Sequence, residues 1–180
     1  MAKFQDKLNQ SLKDFILEQK MFFNASAPNE GRVNVSPKGT DSFRILDDNT
    51  VAYLDLTGSG NETSAHIQQN ERVTIMFCSY TEMPLILRLY GKGEVVKNGT
   101  PRWDALMDNF SRCGGERQII VLHIDSVQTS CGFGVPVYDY VGEKKTSSKL
   151  LNWESPFPKE AYWKEKNQNS IDGLPTHILE

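Results

Sequence analysis

Residues 85–96 read LILRLYGKGEVV, and this stretch decides what kind of sheet the chain can form. At ~3.3 Å per residue a strand of this length spans about 40 Å, which is longer than a small sandwich accommodates without a bend. Gly91 and Gly93 offer a place for that bend, because glycine within a strand permits the sharp turns of a closing sheet. The stretch therefore predicts a long strand that curves around a small β-barrel.

Several other segments have the character of strands. Residues 32–36 (RVNVS) alternate polar and apolar side chains, as a strand with one buried face does. Residues 50–56 and 72–78 are short and rich in β-branched or aromatic residues, and residues 118–129 form a second long candidate. No βαβ rhythm repeats, which disfavours a parallel doubly wound sheet. The pattern predicts a mainly β fold of the α+β kind, a small antiparallel barrel with peripheral helices.

Helices are expected at two places outside this sheet. Residues 3–19 carry apolar side chains at helical spacing, and residues 100–103 (TPRW) have a capping threonine followed by a proline suited to the first helical position. The stripe after this start is predicted to face the core and consists of Trp103, Leu106, Met107 and Phe110. We expect a single domain over residues 1–180, with an N-terminal helix at 1–19 and a helical or irregular extension over 143–180 packed on the barrel.

Composition narrows the classes of partner. The 180 residues include 20 Lys and Arg against 23 Asp and Glu, for a net charge of −3, and the mean hydropathy is −0.48. Such a chain has no basic field for nucleic acid or an anionic membrane, and no apolar run approaches the roughly 18 residues of a membrane span. The polar start MAKFQDKLNQ lacks the apolar segment of a signal peptide. We therefore expect a cytoplasmic protein without nucleic-acid or membrane partners.

Metal-binding and thiol chemistry have little support in the sequence. The cysteines and histidines are widely separated and form no ligand motif; they are Cys78, Cys113, Cys131, His66, His123 and His177. We expect no disulfide framework and no metal site. Cys131 lies within SCGFGVP at 130–136, and no histidine near it in sequence offers a base. A buried cysteine in a tight turn is favoured there over a reactive thiol.

The turn TGSGNETS at residues 57–64 is the main candidate for ligand binding. Its glycines allow close approach of the backbone, its hydroxyls donate hydrogen bonds, and the N–H groups of a following helix bind anions. These features predict a phosphate cradle, although neither a Walker A loop nor a dinucleotide fingerprint is present. The alternative is a plain capping box formed by Ser59 and Glu62, which needs no ligand.

Period-two counting adds cationic residues to this candidate. Ser36 and Lys38 share one face of the first strand, and Arg88 lies on a polar face of the long strand. If those faces meet, Lys38 and Arg88 hold an anion between them. The alternative is a solvated sheet face with scattered charges.

Several segments carry a family resemblance through their order along the chain. They are VNVSPKG at 33–39, YLDLTGSGNET at 53–63, RVTIMFC at 72–78, LILRLYGKG at 85–93, SCGFGVP at 130–136 and NSIDGLP at 169–175. Together they resemble the pyridoxamine 5′-phosphate oxidase-related family of FMN-binding split barrels, in an uncharacterised branch. The resemblance covers residues 15–175.

The resemblance implies a fold, a cofactor and an assembly. Members of the family are six-stranded antiparallel split barrels, usually homodimers, with FMN in a groove between subunits. By position Lys38, with Ser36 beside it, matches the lysine that holds the flavin phosphate, and Arg88 lies where members place polar groups near the flavin. The residues on the matching phosphate turn are Ser59, Gly60, Asn61 and Thr63.

Two departures from the family pattern bear on function. Residues 61–63 (NET) stand where the authentic oxidases carry Ser-Arg-Lys, so two cations are absent and a carboxylate is present. Phosphate binding is then expected to weaken unless Lys38, Arg88 or Arg32 compensates. The end THILE at 176–180 lacks the arginine with which the oxidases bind their pyridoxine substrate.

The resemblance therefore implies an FMN-dependent oxidoreductase of unknown substrate, in which the flavin carries the electrons. No residue stands out as a catalytic acid or base. Two alternatives stay open: a non-catalytic flavin-nucleotide binding protein, and a split barrel that takes haem or a deazaflavin in the same groove.

Overall fold

Eight strands form one antiparallel sheet in the computed structural model of the chain, which describes residues 2–144, 149 and 151–180. The strands are β1 (Lys3–Gln5), β2 (Met21–Ser26), β3 (Asn34–Gly39), β4 (Phe43–Ile45), β5 (Thr50–Leu56), β6 (Arg72–Cys78), β7 (Leu85–Lys97) and β8 (Glu116–Cys131). The helices are α1 (Gln10–Glu18), α2 (Glu62–Asn70), α3 (Pro101–Met107) and α4 (Lys159–Lys166), with a 3₁₀ turn at Thr40–Ser42.

The strand order is that of a curved, half-closed barrel. Along the sheet the strands run β3-β2-β6-β7-β8-β5-β4, and β1 pairs with the far end of β8. The antiparallel split barrel expected from the sequence is confirmed. Eight strands are found where six were expected, because two three-residue strands, β1 and β4, extend the sheet beside β8 and β5.

The long strands bend where the glycines lie. β7 pairs with β8 from Leu85 to Lys97, and the register shifts between Tyr90 and Gly91. A Cβ on Gly91 would collide with the backbone carbonyl oxygen of His123 on β8. A Cβ on Gly93 would lie 2.7 Å from Cδ1 of Ile67, so α2 packs directly against β7 at this glycine. Both glycines are therefore required for close approach.

Apolar side chains bury both faces of the central strands. One core cluster packs α1 against the inner face of the sheet, where Phe22 forms edge-to-face contacts with Phe43 and Tyr53. A second cluster lies on the other face of β5 and β8, where α3 contributes the buried residues Trp103 and Met107. The α3 stripe is thus confirmed as core, and burial of both faces accounts for the continuous apolar runs in β5 and β8.

The N-terminal helix is shorter than expected. Lys3–Gln5 form strand β1, in which Phe4 is 67% exposed, and α1 begins only at Gln10. The side chain of Asn9 fixes this start, because its Oδ1 accepts a hydrogen bond from the N–H of Leu12 at 3.0 Å. The helical spacing of Phe4 was therefore misleading.

The chain after residue 143 contains α4 and an isolated bridge between Asn169 and Pro175. Residues 145–148 and 150 of the predicted extension lie outside the described residues. Across the described part of the chain, no helix has the length and apolar character needed to cross a membrane.

Replacing Gly91 with alanine is expected to destabilise the fold. The new methyl group meets backbone rather than a flexible side chain, so the free energy of unfolding should fall by about 2 kcal/mol, as for an overpacked core site. Urea unfolding measures this change. Gly134→Ala, where no atom lies within 4 Å of the added Cβ, is the control and should stay within about 0.5 kcal/mol of the wild type. Equal midpoints for both variants would contradict the packing described for Gly91.

Candidate functional site

A cavity of about 410 Å³ lies between the end of β3, the turn after β5 and the start of α2. Six of the seven predicted cofactor-binding residues line it together: Ser36, Lys38, Ser59, Gly60, Asn61 and Thr63. Sequence reasoning missed Asp55 and Arg117, which also line the cavity.

Strand register places the β3 residues on the cavity side. Lys38 pairs with Phe22 and Ser36 with Asn24, and both partners point to the buried face of β2. The alternation of a strand therefore turns Ser36 and Lys38 inward, while Pro37 between them is exposed. The period-two expectation for Ser36 and Lys38 is confirmed.

The capping box expected as the alternative is absent. Helix α2 starts at Glu62 after Asn61, and no side-chain hydrogen bond caps it. The Glu62 carboxylate instead accepts hydrogen bonds from the N–H of Ile171 at 3.1 and 3.0 Å. The capping-box interpretation is therefore wrong, because a distant segment takes the carboxylate that would close the box. An uncapped helix start carries partial positive charge and favours an anion.

Asn61 adds an unused donor at the helix start. Its side chain is buried, with the residue 2% exposed, and its Oδ1 accepts a hydrogen bond from Gln118 at 2.8 Å. Among the residues that the structure describes, its Nδ2 has no hydrogen-bond partner. A buried amide nitrogen without a partner is costly, so this atom is a natural donor to a ligand in the cavity.

A buried carboxylate organises the cations of the site. Asp55 is 3% exposed, and its Oδ1 lies 2.6 Å from Nζ of Lys38. Its Oδ2 accepts hydrogen bonds from Nη2 of Arg117 at 2.7 Å and from Nε2 of Gln118 at 2.9 Å. Burial by itself would raise the pKa of Asp55, but the charges of Arg117 and Lys38 outweigh it and hold the pKa well below its usual range. The group of two cations and one carboxylate therefore carries a net charge of +1.

Arg117 also shapes the turn. Its Nη1 donates to the carbonyl oxygen of Gly60 at 2.8 Å and to Oδ1 of Asn167 at 3.1 Å. The sequence does contain a signal for this residue. Glu116, Arg117 and Gln118 form a polar run at the start of β8, directly before its buried apolar residues.

Arg88 lies on the opposite face of the sheet. Register pairs Arg88 with Met76, Met76 with Phe23 and Phe23 with Pro37, all on the outer face. Its Nη1 donates to Oγ of Ser130 at 3.1 Å. Within one chain, Arg88 and Lys38 therefore do not meet, and the anion site expected between them is not formed.

A buried polar cluster adjoins the cavity beneath Thr63. The Thr63 hydroxyl accepts from Nδ2 of Asn24 at 2.8 Å and from Nδ2 of Asn34 at 3.3 Å, and Oγ of Ser26 lies 2.9 Å from Nδ1 of His66. His66 is fully buried, and burial lowers the pKa of its imidazole in spite of nearby carboxylates. The ring is therefore neutral near pH 7 and presents no charge to the cavity.

Two of the cysteines differ in exposure. Cys78 is buried at the end of β6. Cys131 is exposed at the end of β8, so the expectation of a buried cysteine is wrong. It pairs with Leu85 at the point where β7 begins and β8 ends.

Comparisons with known proteins agree with this fold. A family model described as pyridoxamine 5′-phosphate oxidase matches residues 8–131. The pyridoxamine 5′-phosphate oxidase family protein ustO of Aspergillus flavus is 38% identical over 195 residues, which covers 97% of this chain and 78% of that protein.

Solved structures show the same fold. HupZ of Group A Streptococcus superposes with a TM-score of 0.54 at 25% identity, covering 67% of this chain and 91% of that one. A putative pyridoxamine 5′-phosphate oxidase from Lactobacillus delbrueckii gives a TM-score of 0.52 at 19% identity, covering 68% and 98%.

The variant Asp55→Asn is expected to lose stability at neutral pH. Lys38 and Arg117 lose their buried counter-charge, so the free energy of unfolding should fall by about 3–5 kcal/mol. The wild-type carboxylate has a lowered pKa, so its stabilisation is present above the unfolded value near 3.9 and disappears as pH falls below it. The gap between wild type and variant should therefore shrink between about pH 5 and pH 2.

Urea unfolding across this pH range checks the expectation. Asp125→Asn, an exposed carboxylate on the same strand as Arg117, is the matched control and should track the wild type. A gap that stays constant with pH would contradict the role given to the ionised Asp55.

Proposed function

The chain belongs to the pyridoxamine 5′-phosphate oxidase family, and we propose that it binds FMN with the phosphate at the start of α2 and acts as an FMN-dependent oxidoreductase. The observation that carries the proposal is the unpartnered Nδ2 of Asn61, buried at an uncapped helix start and beside two cations. A bound flavin supplies the hydride and electron transfer.

The donor set fits a phosphate group. Lys38 keeps 24% of its side chain exposed, so its ammonium group is accessible while it stays paired with Asp55. The turn adds the hydroxyls of Ser59 and Thr63, and all of these residues line one cavity. Charge-assisted hydrogen bonds from an ammonium group and a helix start are the usual means by which proteins hold phosphate.

The carboxylate that departs from the family pattern is compatible with this role. Glu62 is occupied by the N–H of Ile171, which offsets part of its charge. Arg117 supplies a cation that the family resemblance did not reveal. Its hydrogen bond to the carbonyl oxygen of Gly60 holds the turn next to the guanidinium group.

A non-catalytic flavin-nucleotide binding protein is the second candidate, and the C-terminal residues favour it. Thr176 is fully buried, and its carbonyl oxygen accepts a hydrogen bond from Oγ of Ser64 at 3.4 Å. Thr176 thus contacts α2 and does not line the cavity, and residues 176–180 include no arginine. Oxidation of reduced FMN by added acceptors separates the candidates: rates above free FMN support the oxidoreductase, and unchanged rates support the binding protein.

We also propose a homodimer formed through the outer sheet face. Val33, just before β3, is 70% exposed, Val35 on β3 is 57% exposed, and Phe133 after β8 is 81% exposed. Exposed apolar side chains of this kind mark interaction surfaces. Arg88 lies on the same face, so it approaches a bound flavin only if a second copy of the chain presents it.

Removing the Lys38 ammonium group is expected to weaken FMN binding. Losing one charge-assisted contact should raise the Kd by roughly ten- to a hundredfold, and binding of riboflavin, which has no phosphate, should change little. Quenching of flavin fluorescence on titration measures both constants for Lys38→Ala. The control is Lys92→Ala, an exposed lysine that contacts only Glu71 among the described residues. An unchanged Kd for FMN in Lys38→Ala would place the phosphate elsewhere.

Introducing a charged side chain on the outer sheet face tests the dimer proposal. The wild type should sediment with twice the chain mass, and Val35→Glu should sediment as a monomer because a buried carboxylate opposes association. Leu179→Glu, which is 47% exposed at the other end of the chain, should remain dimeric. A monomeric wild type would refute the proposed interface.

A further inference from the structure

Residues 163–176, here named the C-terminal clasp, contact the phosphate turn (residues 57–61) and the start of α2. The clasp lies beyond residue 131, where the match to the family model ends. We propose that the clasp, chiefly through Asn167, fixes the shape of the phosphate turn and so gives the protein its preference for a phosphorylated flavin over the unphosphorylated one. This inference rests on the function proposed above.

Asn167 links the two sides of the turn. It is fully buried, its Nδ2 donates to the carbonyl oxygen of Gly58 at 3.0 Å, and its Oδ1 accepts from Nη1 of Arg117 at 3.1 Å. The same Arg117 nitrogen donates to the carbonyl oxygen of Gly60 at 2.8 Å. One side-chain amide therefore binds the Gly58 carbonyl directly and reaches the Gly60 carbonyl through Arg117. Glycine backbone is intrinsically mobile, so the turn depends on these contacts for a single conformation.

Two further contacts hold the clasp in register with the turn. Nε1 of Trp163 donates to Oγ1 of Thr57 at 2.9 Å, and Trp163 is 7% exposed. Oγ1 of Thr176 donates to the carbonyl oxygen of Asn167 at 2.6 Å. The backbone on both sides of Asn167 is thus anchored, which preorganises its side chain toward Gly58 and Arg117.

The clasp also offsets part of the unfavourable negative charge at the start of α2. The carboxylate of Glu62 lies in the first turn of α2, where it competes with any anion for the same partial positive charge. The N–H of Ile171 donates to both carboxylate oxygens and so offsets part of the charge of Glu62. Losing the clasp would free Glu62 to compete with the phosphate.

A purely structural clasp would behave differently in a binding experiment. If the clasp only covered the core, loosening it would lower stability and weaken both flavins to the same extent. If it shapes the phosphate turn, only the ligand that carries a phosphate loses affinity. The ratio of the two dissociation constants, riboflavin over FMN, therefore reports the positioning role separately from stability.

The test compares Asn167→Ala with the wild type in fluorescence titrations with FMN and with riboflavin. We expect the ratio to fall by about tenfold or more in Asn167→Ala, with riboflavin binding within about twofold of the wild type, because the lost hydrogen bonds shape only the turn that holds the phosphate. Gln168→Ala is the matched control: its exposed side chain donates to the carbonyl oxygen of Lys164 and, among the described residues, to no group of the phosphate turn, so its ratio should equal that of the wild type.

The possible outcomes distinguish the two proposals. A wild type that binds FMN and riboflavin equally well refutes the phosphate position itself. A wild type that discriminates, together with an unchanged ratio in Asn167→Ala, overturns only the clasp. If Asn167→Ala does not fold, Trp163→Phe decides, since it keeps a six-membered aromatic ring and removes the indole N–H that donates to Thr57. A lower ratio in that variant supports the clasp, and a ratio equal to the wild type overturns it.

Discussion

The carboxylate of Asp55 is the contact on which both the closure of the barrel and the candidate site depend. Lys38 lies on β3 at one end of the strand order, and Asp55 lies on β5 close to the other end. Their ion pair therefore joins two ends of a curved sheet that share no backbone hydrogen bonds. Arg117 and Gln118 on β8 satisfy the second carboxylate oxygen, so the buried charge is fully partnered. Only a network completed in this way offsets the desolvation of its members.

This closure has a direct consequence for the site. Asp55 holds Arg117 by two nitrogens, and the third nitrogen is left to fix the carbonyl oxygen of Gly60. The residues that shut the barrel are thus the residues that position the phosphate turn. A change in either cation alters fold and site together, so stability and ligand affinity must be measured side by side in any variant here.

The sequence predicts the local features well. Period-two counting identifies Ser36 and Lys38 as one face, and the glycine-rich turn identifies the cradle, because both are properties of adjacent residues. Strand β2 was missed, since its inward positions include Asn24 and Ser26, and buried polar residues reverse the usual apolar signal.

The contacts missed in the site are long-range ones. Arg117 and Asp55 are 62 positions apart in the chain, and each lies in a strand that reads as apolar. Asn167 lies 109 positions from Gly58, in a segment that the sequence predicts only as a helical or irregular extension packed on the barrel. Neither pairing leaves a trace in spacing or periodicity. Register and packing create them, and these are known only once the sheet is assembled.

Residues 61–63 lack the two cations of the family pattern, and the cations elsewhere in the chain that could compensate differ in their partners. Arg32 is paired with Asp172, and Arg88 lies on the outer face. Lys38 and Arg117 remain, and they share one carboxylate. The single net positive charge of this group attracts an anion at 4 Å by about 4 kcal/mol before desolvation, at an effective dielectric constant near 20. The Glu62 carboxylate also lines the cavity and opposes this attraction. Much of the recognition must then come from fixed N–H and O–H donors, whose value depends on geometry. A site of this kind is sensitive to the segment that sets its shape, which gives the C-terminal residues a role in binding without any contact to the ligand.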